Sequence, residues 1–320
     1  MNRVPILRST DSDAAVSCLA SGGLVALPTE TVYGLGAAIN KPEAINRIFN
    51  VKGRPTNHPL IVHVSDWDMA LPLISEPIHE YVKALVNVFT PGPITFILPK
   101  SDALSDAITG GQDSVGIRIP NHPVTRLVLE QLGVAVAAPS ANKFGEVSPT
   151  SALHVFNDLN DVLNPERDAI MDGGESKIGL ESTIVDCRSA VPKILRPGAI
   201  TREMIREVVG SVESVSTTDI RVSGALEKHY SPRAIVRIVN SFEEVKNTMS
   251  LVGFIALEQV PTPLNTIRLA MPQHAIEFAQ VLYDALRKAD DLNLQEVFVV
   301  LPEDQGIGVA IRDRITRAAH

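Results

Sequence analysis

The 320-residue chain is 45% hydrophobic and carries a formal net charge of −8, which is enough apolar mass for two cores and the wrong sign for a protein that coats nucleic acid through many Lys and Arg contacts. Two distant cysteines, Cys18 and Cys187, exclude a disulfide framework or a zinc cluster and indicate a reducing compartment. No apolar run reaches membrane-spanning length, residues 1–9 lack a signal-peptide core, and 4% aromatics with one tryptophan give no ladder of rings for stacking bases, so a cytoplasmic protein without stable membrane association is expected.

In chain order, residues 11–20 read as a helix capped by Thr10 or Asp11 and stopped by Gly22-Gly23, leading into a buried strand at 24–27. Asn40 can cap a second helix that starts at Pro42, carries Ile45, Ile48 and Phe49 on one face and runs to Lys52. Further strands are predicted at 60–64, 95–98, 115–119, 134–138, 184–186 and 194–195, with helices at about 77–89, 123–132, 152–159 and 201–209. That alternation specifies an α/β domain with mixed strand order over residues 1–209. Residues 210–233 have no sustained apolar period and read as a linker. Strands at 234–239, 254–257 and 297–301, with helices near 242–249, 275–289 and 309–319, then form a small α/β domain over 234–320. Arg312, Arg314 and Arg317 fall near the end of the last helix, where solvated cations favour the helix dipole.

Several catalytic signatures are missing. There is no G-x-x-x-x-G-K-[ST] loop and no G-x-S-x-G elbow, and His79-Glu80 is followed by Lys83 where a zinc-protease helix needs histidine. Gly34-Leu35-Gly36 starts like a dinucleotide fingerprint, but Ile39 holds the third glycine position, so a tight turn after a strand is expected.

The segments that remain cluster at strand ends. Residues 28–36, P-T-E-T-V-Y-G-L-G, place two hydroxyls and a carboxylate where open α/β sheets bind ligands. Lys52 and Arg54 in a K-G-R-P context give a compact charge and a bidentate fork for phosphate oxygens. Small residues around Ser140-Ala141-Asn142 let the backbone approach a ligand, and Arg118, on a buried strand, needs a carboxylate or phosphate. E-S-T-I-V-D at 181–186 and R-P-G at 196–198 complete the set.

Taken in this order, the segments resemble the threonylcarbamoyl-adenylate synthase family, also called YrdC-like. The K-x-R and S-x-N tetrad is present as Lys52, Arg54, Ser140 and Asn142. His229-Tyr230-Ser231-Pro232 resembles the H-Y-x-P segment of the family's long, two-domain branch, and residues 306–310, G-I-G-V-A, resemble that branch's terminal motif. The resemblance implies a twisted, mixed, open sheet plus a small Rossmann-like second domain. It also implies synthesis of threonylcarbamoyl-AMP from L-threonine, bicarbonate and ATP with release of pyrophosphate, for N6-threonylcarbamoyladenosine in tRNA.

The same resemblance assigns roles. Lys52 and Arg54 are the catalytic pair, and Lys52, Arg54, His58, Ser114, Ser140, Asn142, Ser148, Arg196 and Tyr230 bind ATP, whose phosphates carry Mg2+. Thr31, His63, Arg118, Ala138 and Ser182 hold threonine. Where the family commonly has Asn-Pro, this chain has Asn57-His58-Pro59, so either Asn57 supplies the amide or His58 takes the role. The linker is expected to fold over the active site, the adenylate to pass to a tRNA threonylcarbamoyl-transferase complex, and direct tRNA binding to be weak or absent. Two other readings of the same cleft are an RNA-binding module, which the net charge disfavours, and a carbamoyl-transfer module. The hydrogenase-maturation proteins that use the fold for carbamoyl transfer carry zinc-finger and acylphosphatase segments not found in this sequence.

Overall fold

The computed structural model describes residues 3–214, 220–224, 229–245 and 251–319. Its larger sheet comprises β1 (Ile6–Arg8), β2 (Val25–Leu27), β3 (Gly34–Ala38), β4 (Ile61–His63), β5 (Ile94–Pro99), β6 (Ser114–Arg118), β7 (Val136–Ala137), β8 (Ala169–Asp172), β9 (Thr183–Asp186), β10 (Lys193–Arg196) and β11 (Glu213–Ser214). Their spatial order is β1-β8-β2-β3-β7-β4-β6-β5-β9-β10-β11. Parallel pairs such as β4/β6 and β5/β9 alternate with antiparallel pairs such as β2/β3 and β5/β6, so the sheet is mixed as the sequence predicts. A second sheet, all parallel, is built from β12 (Ile235–Val239), β13 (Val252–Ile255), β14 (Thr266–Ala270) and β15 (Glu296–Val300) in the order β12-β15-β13-β14.

The helices are α1 (Ser12–Ala20), α2 (Pro42–Lys52), α3 (Trp67–Ala70), α4 (Glu80–Phe89), α5 (Asp106–Thr109), α6 (Pro123–Leu132), α7 (Ala152–Leu159), α8 (Arg202–Val209), α9 (Ala275–Asp291) and α10 (Gly308–Ala318). None among the described residues is long and apolar enough to cross a membrane. Helix α2 starts at Pro42 as expected, but Lys41 holds the N-cap and no side chain caps it, so Asn40 lies one residue too early. The helix stops where Gly53 takes φ 60°, a left-handed conformation that costs glycine nothing, and the chain turns off between Lys52 and Arg54.

Two expectations are corrected. Gly34-Leu35-Gly36 is not a turn but the start of β3, paired on one side with β2 and continued on the other by β7. A strand covered on both faces has no polar alternation to reveal it, and glycine lowers its apparent strand preference. The segment from 242 is a short 3-10 helix, Phe242–Glu244; residues 246–249 of the predicted helix lie outside the described residues.

Helix α9 buries Phe278, Leu282, Tyr283 and Leu286 at helical spacing, worth roughly 1.5–3 kcal/mol per large side chain. The core it enters also takes in Val32, Val147, Leu180 and Tyr230 from the larger-sheet region and the segment before β12, so both sheets share one packed seam.

Candidate functional site

That seam closes one side of a cleft lined from the carboxyl ends of β4, β6 and β10 and from those of β2 and β7, which run antiparallel to them. His63 ends β4, Arg118 ends β6, Arg196 ends β10, Ala138 and Ser140 follow β7, and Ser182 precedes β9; all line the cleft with Arg54, Glu181 and Tyr230. Ser223, Gly224, His229 and Tyr230 complete its wall.

One half of the cleft is cationic. Arg54 and Arg196 are 7% and 3% exposed, yet their hydrogen bonds go to neutral oxygens. Arg54 donates to the Pro59 carbonyl at 2.9 Å and to Ser223 Oγ at 3.2 Å. Arg196 donates to the Ser182 carbonyl at 3.1 and 2.9 Å, to Ser182 Oγ at 3.2 Å and to the Ser223 carbonyl at 2.8 Å. Lys52, also buried, lies with Asn142 behind the lining and gives its ammonium to the carbonyls of Ser140, at 2.6 Å, and Asn142. Among the described residues none of the three forms an ion pair. Burial therefore lowers all three: Lys52 well below its ordinary value, with the Arg54 charge adding to the effect, Arg54 to about 10, and Arg196 likewise downward. Arg54 Nε and Asn142 Oδ1 are buried without a protein partner. Unpaired buried cations beside open hydrogen-bonding positions describe a site built for a polyanion.

The other half carries a paired charge. Arg118 donates to Glu30 Oε1 at 2.7 Å, with both side chains under a tenth exposed, while Arg118 Nε keeps no protein partner. Glu30 Oε2 also accepts from the Asn121 amide at 3.0 Å. The partner that a buried Arg118 requires is thus supplied internally by the same P-T-E-T segment, and one edge of the guanidinium remains open. Arg118 also donates to Thr29 Oγ1 at 3.4 Å; that hydroxyl is 2.8 Å from Thr31 Oγ1, which is fully buried and does not line the cleft, while Ser182 Oγ is 2.7 Å from Thr95 Oγ1. His63 has Nδ1 3.2 Å from the Ile61 carbonyl, and burial together with the Arg118 charge lowers it to about 3, so it is a neutral imidazole.

Tyr230 is 1% exposed and takes φ 62°, a left-handed backbone that costs a non-glycine residue strain, and its buried hydroxyl has no protein partner. His229 beside it is lowered to about 3 by burial, and its Nδ1 is likewise unpartnered. Both residues line the cleft.

Not every predicted residue lies in this space. Ser114 sits at the opposite end of β6 from Arg118, about 13 Å away at the usual strand rise, in a slot with Gly116, Ile220 and Val222. Ser148 donates to Glu181 Oε1 at 2.6 Å, behind the cleft wall. His58 packs edge-on against Phe144, 5.3 Å between ring centroids, and the Asn57 carbonyl accepts from Arg221 Nε at 3.0 Å. Three charged residues with a part in this site went unassigned in the sequence: Glu30, Glu181 and Arg314. Arg314 is no solvated helix end; it is fully buried and bonds Glu181 Oε2 at 2.8 Å. Its place in the stripe Ala310, Ile311, Arg314, Ile315, Ala318 was the available signal.

Comparison with known proteins adds an independent line. Residues 17–198 match the family model described as telomere recombination, and residues 200–320 match threonylcarbamoyl-AMP synthase, C-terminal domain. The chain is 36% identical to the threonylcarbamoyl-AMP synthase of Bacillus subtilis across 95% of this chain and 92% of that protein. It is 32% identical to that of Schizosaccharomyces pombe across 99% and 87%. The crystal structure of Pyrococcus abyssi Sua5 complexed with L-threonine superposes with a TM-score of 0.89 at 33% identity, covering 99% of this chain and 97% of that one.

Proposed function

This chain belongs to the threonylcarbamoyl-AMP synthase family and is a nucleotidyltransferase of that activity, and we propose that the cleft joins L-threonine, bicarbonate and ATP by setting an anion-paired pocket beside an unpaired cationic one. The observation that carries this assignment is the contrast between the two halves. Arg118 already has Glu30 and one open edge, which suits a single carboxylate; with Glu181 nearby bonded to Arg314, Lys52, Arg54 and Arg196 form no ion pair among the described residues, which suits a triphosphate.

In this reading Arg118 orients the threonine carboxylate, and Ser182 and the Ala138 backbone address its hydroxyl and amino groups. Neutral His63 accepts or donates a hydrogen bond there without adding charge. The threonine amine condenses with bicarbonate to a carbamate with loss of water; a carbamate oxygen then attacks the α-phosphorus of ATP, the bond from that phosphorus to the oxygen bridging to the β-phosphate breaks, and pyrophosphate leaves with the negative charge that Arg54 and Arg196 neutralise. Lys52, anchored on the Ser140 and Asn142 carbonyls, holds the S-x-N loop against the phosphates. No protein nucleophile is needed; the work is approximation and charge neutralisation. Ser114, at the far end of β6, and His58 lie outside this cleft, and Ser148 meets it through Glu181. Mg2+ arrives on the ATP phosphates: among the described residues no cluster of three His, Cys, Asp or Glu could hold it, and both Glu30 and Glu181 are committed to arginines.

The division into a catalytic domain at 1–209, a linker at 210–233 and a second domain at 234–320 fits this assignment, with the linker as cover. Ser223 and Tyr230 of that linker already line the cleft, where a cover that shields a labile product would stand. The adenylate then passes to a tRNA-modifying transferase. Incubation with ATP, threonine and labelled bicarbonate tests the assignment. Label is expected in threonylcarbamoyl-AMP only when all three are present, and label-free AMP as the sole product would overturn it.

A further inference from the structure

The second domain reaches the nucleotide half of the cleft through one buried carboxylate. Glu181 sits in the cleft wall, 7% exposed. Its Oε1 accepts from Ser148, and its Oε2 accepts from Tyr283 of α9 at 2.9 Å and from Arg314 of α10 at 2.8 Å. Tyr283 and Arg314 are both 0% exposed. Arg314 also donates to the Pro197 carbonyl at 3.0 Å, next to Arg196, and its guanidinium lies 5.2 Å from the centroid of the Tyr230 ring. Tyr283 stacks on the same ring, with centroids 5.8 Å apart and planes 21° from parallel.

The approach is built in. Helix α9 lies so close to the segment before Glu181 that a Cβ on Gly179 (φ 79°) would come within 2.4 Å of the Ala279 carbonyl, and Gln280 donates to the Lys177 carbonyl at 2.7 Å. Arg287, one turn beyond Tyr283, bonds Asp158 at 2.8 and 2.7 Å and the Val147 carbonyl, clamping the segment that carries Ser148. A guanidinium that meets both Glu181 and Asp313 is doubly neutralised, so it adds no charge for phosphate; its role is to fix its neighbours.

We propose that Tyr283 and Arg314 of the second domain are positioning residues for the synthase reaction, acting through Glu181 and the Tyr230 ring to hold Arg196 and Tyr230 in their nucleotide-binding geometry. This rests on the functional assignment above and gives the second domain a defined part in the reaction, completing the ATP pocket of the first. A residue holding the ATP contacts changes KM for ATP more than kcat and depends on the group it positions, whereas a merely structural residue does neither.

The test uses full-length protein and threonine-dependent pyrophosphate release, with direct calorimetric titration of ATP. Arg314→Met is expected to raise KM for ATP about tenfold with kcat within about threefold, and to have less than a twofold further effect in a Tyr230→Leu background. Tyr283→Phe, which removes one hydrogen bond and no packing volume, is expected to raise KM for ATP about threefold and carries the test if Arg314→Met does not fold. An unchanged KM for ATP in folded Tyr283→Phe, or effects of Arg314→Met and Tyr230→Leu that multiply in full, would overturn the proposal. Absence of threonine-dependent release in the unsubstituted chain would instead count against the functional assignment itself.

Discussion

Arg118→Gln and Glu30→Gln form a pair of perturbations that should act alike on stability and oppositely on threonine. Each breaks the same buried ion pair of 2.7 Å and leaves one charge uncompensated, so each should cost about 3–5 kcal/mol of folding stability. Their effects on substrate diverge because only one of the two charges faces the ligand in the proposed pocket. Arg118→Gln removes a charged donor to the threonine carboxylate, worth about 1.5–3 kcal/mol, or roughly tenfold to a hundredfold in KM for threonine. Glu30→Gln leaves the guanidinium in place without its internal anion, so the incoming carboxylate becomes its sole counter-charge and KM for threonine should stay level or fall. The assay is pyrophosphate release against threonine at saturating ATP and bicarbonate, at a temperature where urea unfolding shows both variants native. Equal increases in KM for the two variants would refute the assignment of Arg118 to the substrate and reduce the pair to a structural bridge.

Lys52→Met retains the length of the side chain but strands the Ser140 and Asn142 carbonyls; pyrophosphate release should fall about a hundredfold or more, and an unchanged rate would remove Lys52 from the reaction. Acid stability follows from three depressed values. Burial lowers His63 and His229 to about 3 from 6.5. At Glu181, burial opposes ionisation, but the charges of Arg314 and Arg196 and the bond from Ser148 prevail and bring it to about 2 from 4.5. In each case the unfolded chain binds the extra proton, so stability falls as pH drops below 6.5 for the histidines and below 4.5 for Glu181, the latter accounting for about 3 kcal/mol by pH 2. Urea midpoints at about pH 7, 5.5 and 4 check this, and a midpoint indifferent to pH across that range would contradict the burial assigned to these groups. Tyr230→Phe removes only the unpartnered hydroxyl; ATP affinity should weaken several-fold with stability unchanged or improved, and a loss of stability without change in affinity would show the hydroxyl has no ligand to meet.

Much of the frame was legible from residue order because the α/β alternation and the helix stops use local chemistry: Pro42 opens α2, Gly53 ends it, and the apolar runs at β4, β6 and β9 are central strands. What the sequence hid were elements whose signals are not local. β1 and β14 are short edge strands with charged residues, and β3 is too glycine-rich to read as a strand. In the candidate site, side chains at strand ends were visible, since polar residues after an apolar run have few reasons to be there. Partners contributed from far along the chain were not. Nothing near Glu181 announces Arg314, 133 residues away, and nothing near Arg118 selects Glu30, 88 residues away, over a ligand. Burial of an arginine is decided by the whole fold, whereas periodicity only marks the face on which it lies.

The most direct measurement is pyrophosphate release by the purified chain from ATP, with threonine and bicarbonate supplied together and each omitted in turn. Release that requires both, is lost in Arg54→Ala and Arg196→Ala, and yields one threonylcarbamoyl-AMP per pyrophosphate is the predicted result. Release that proceeds equally without threonine or bicarbonate would contradict a two-substrate cleft.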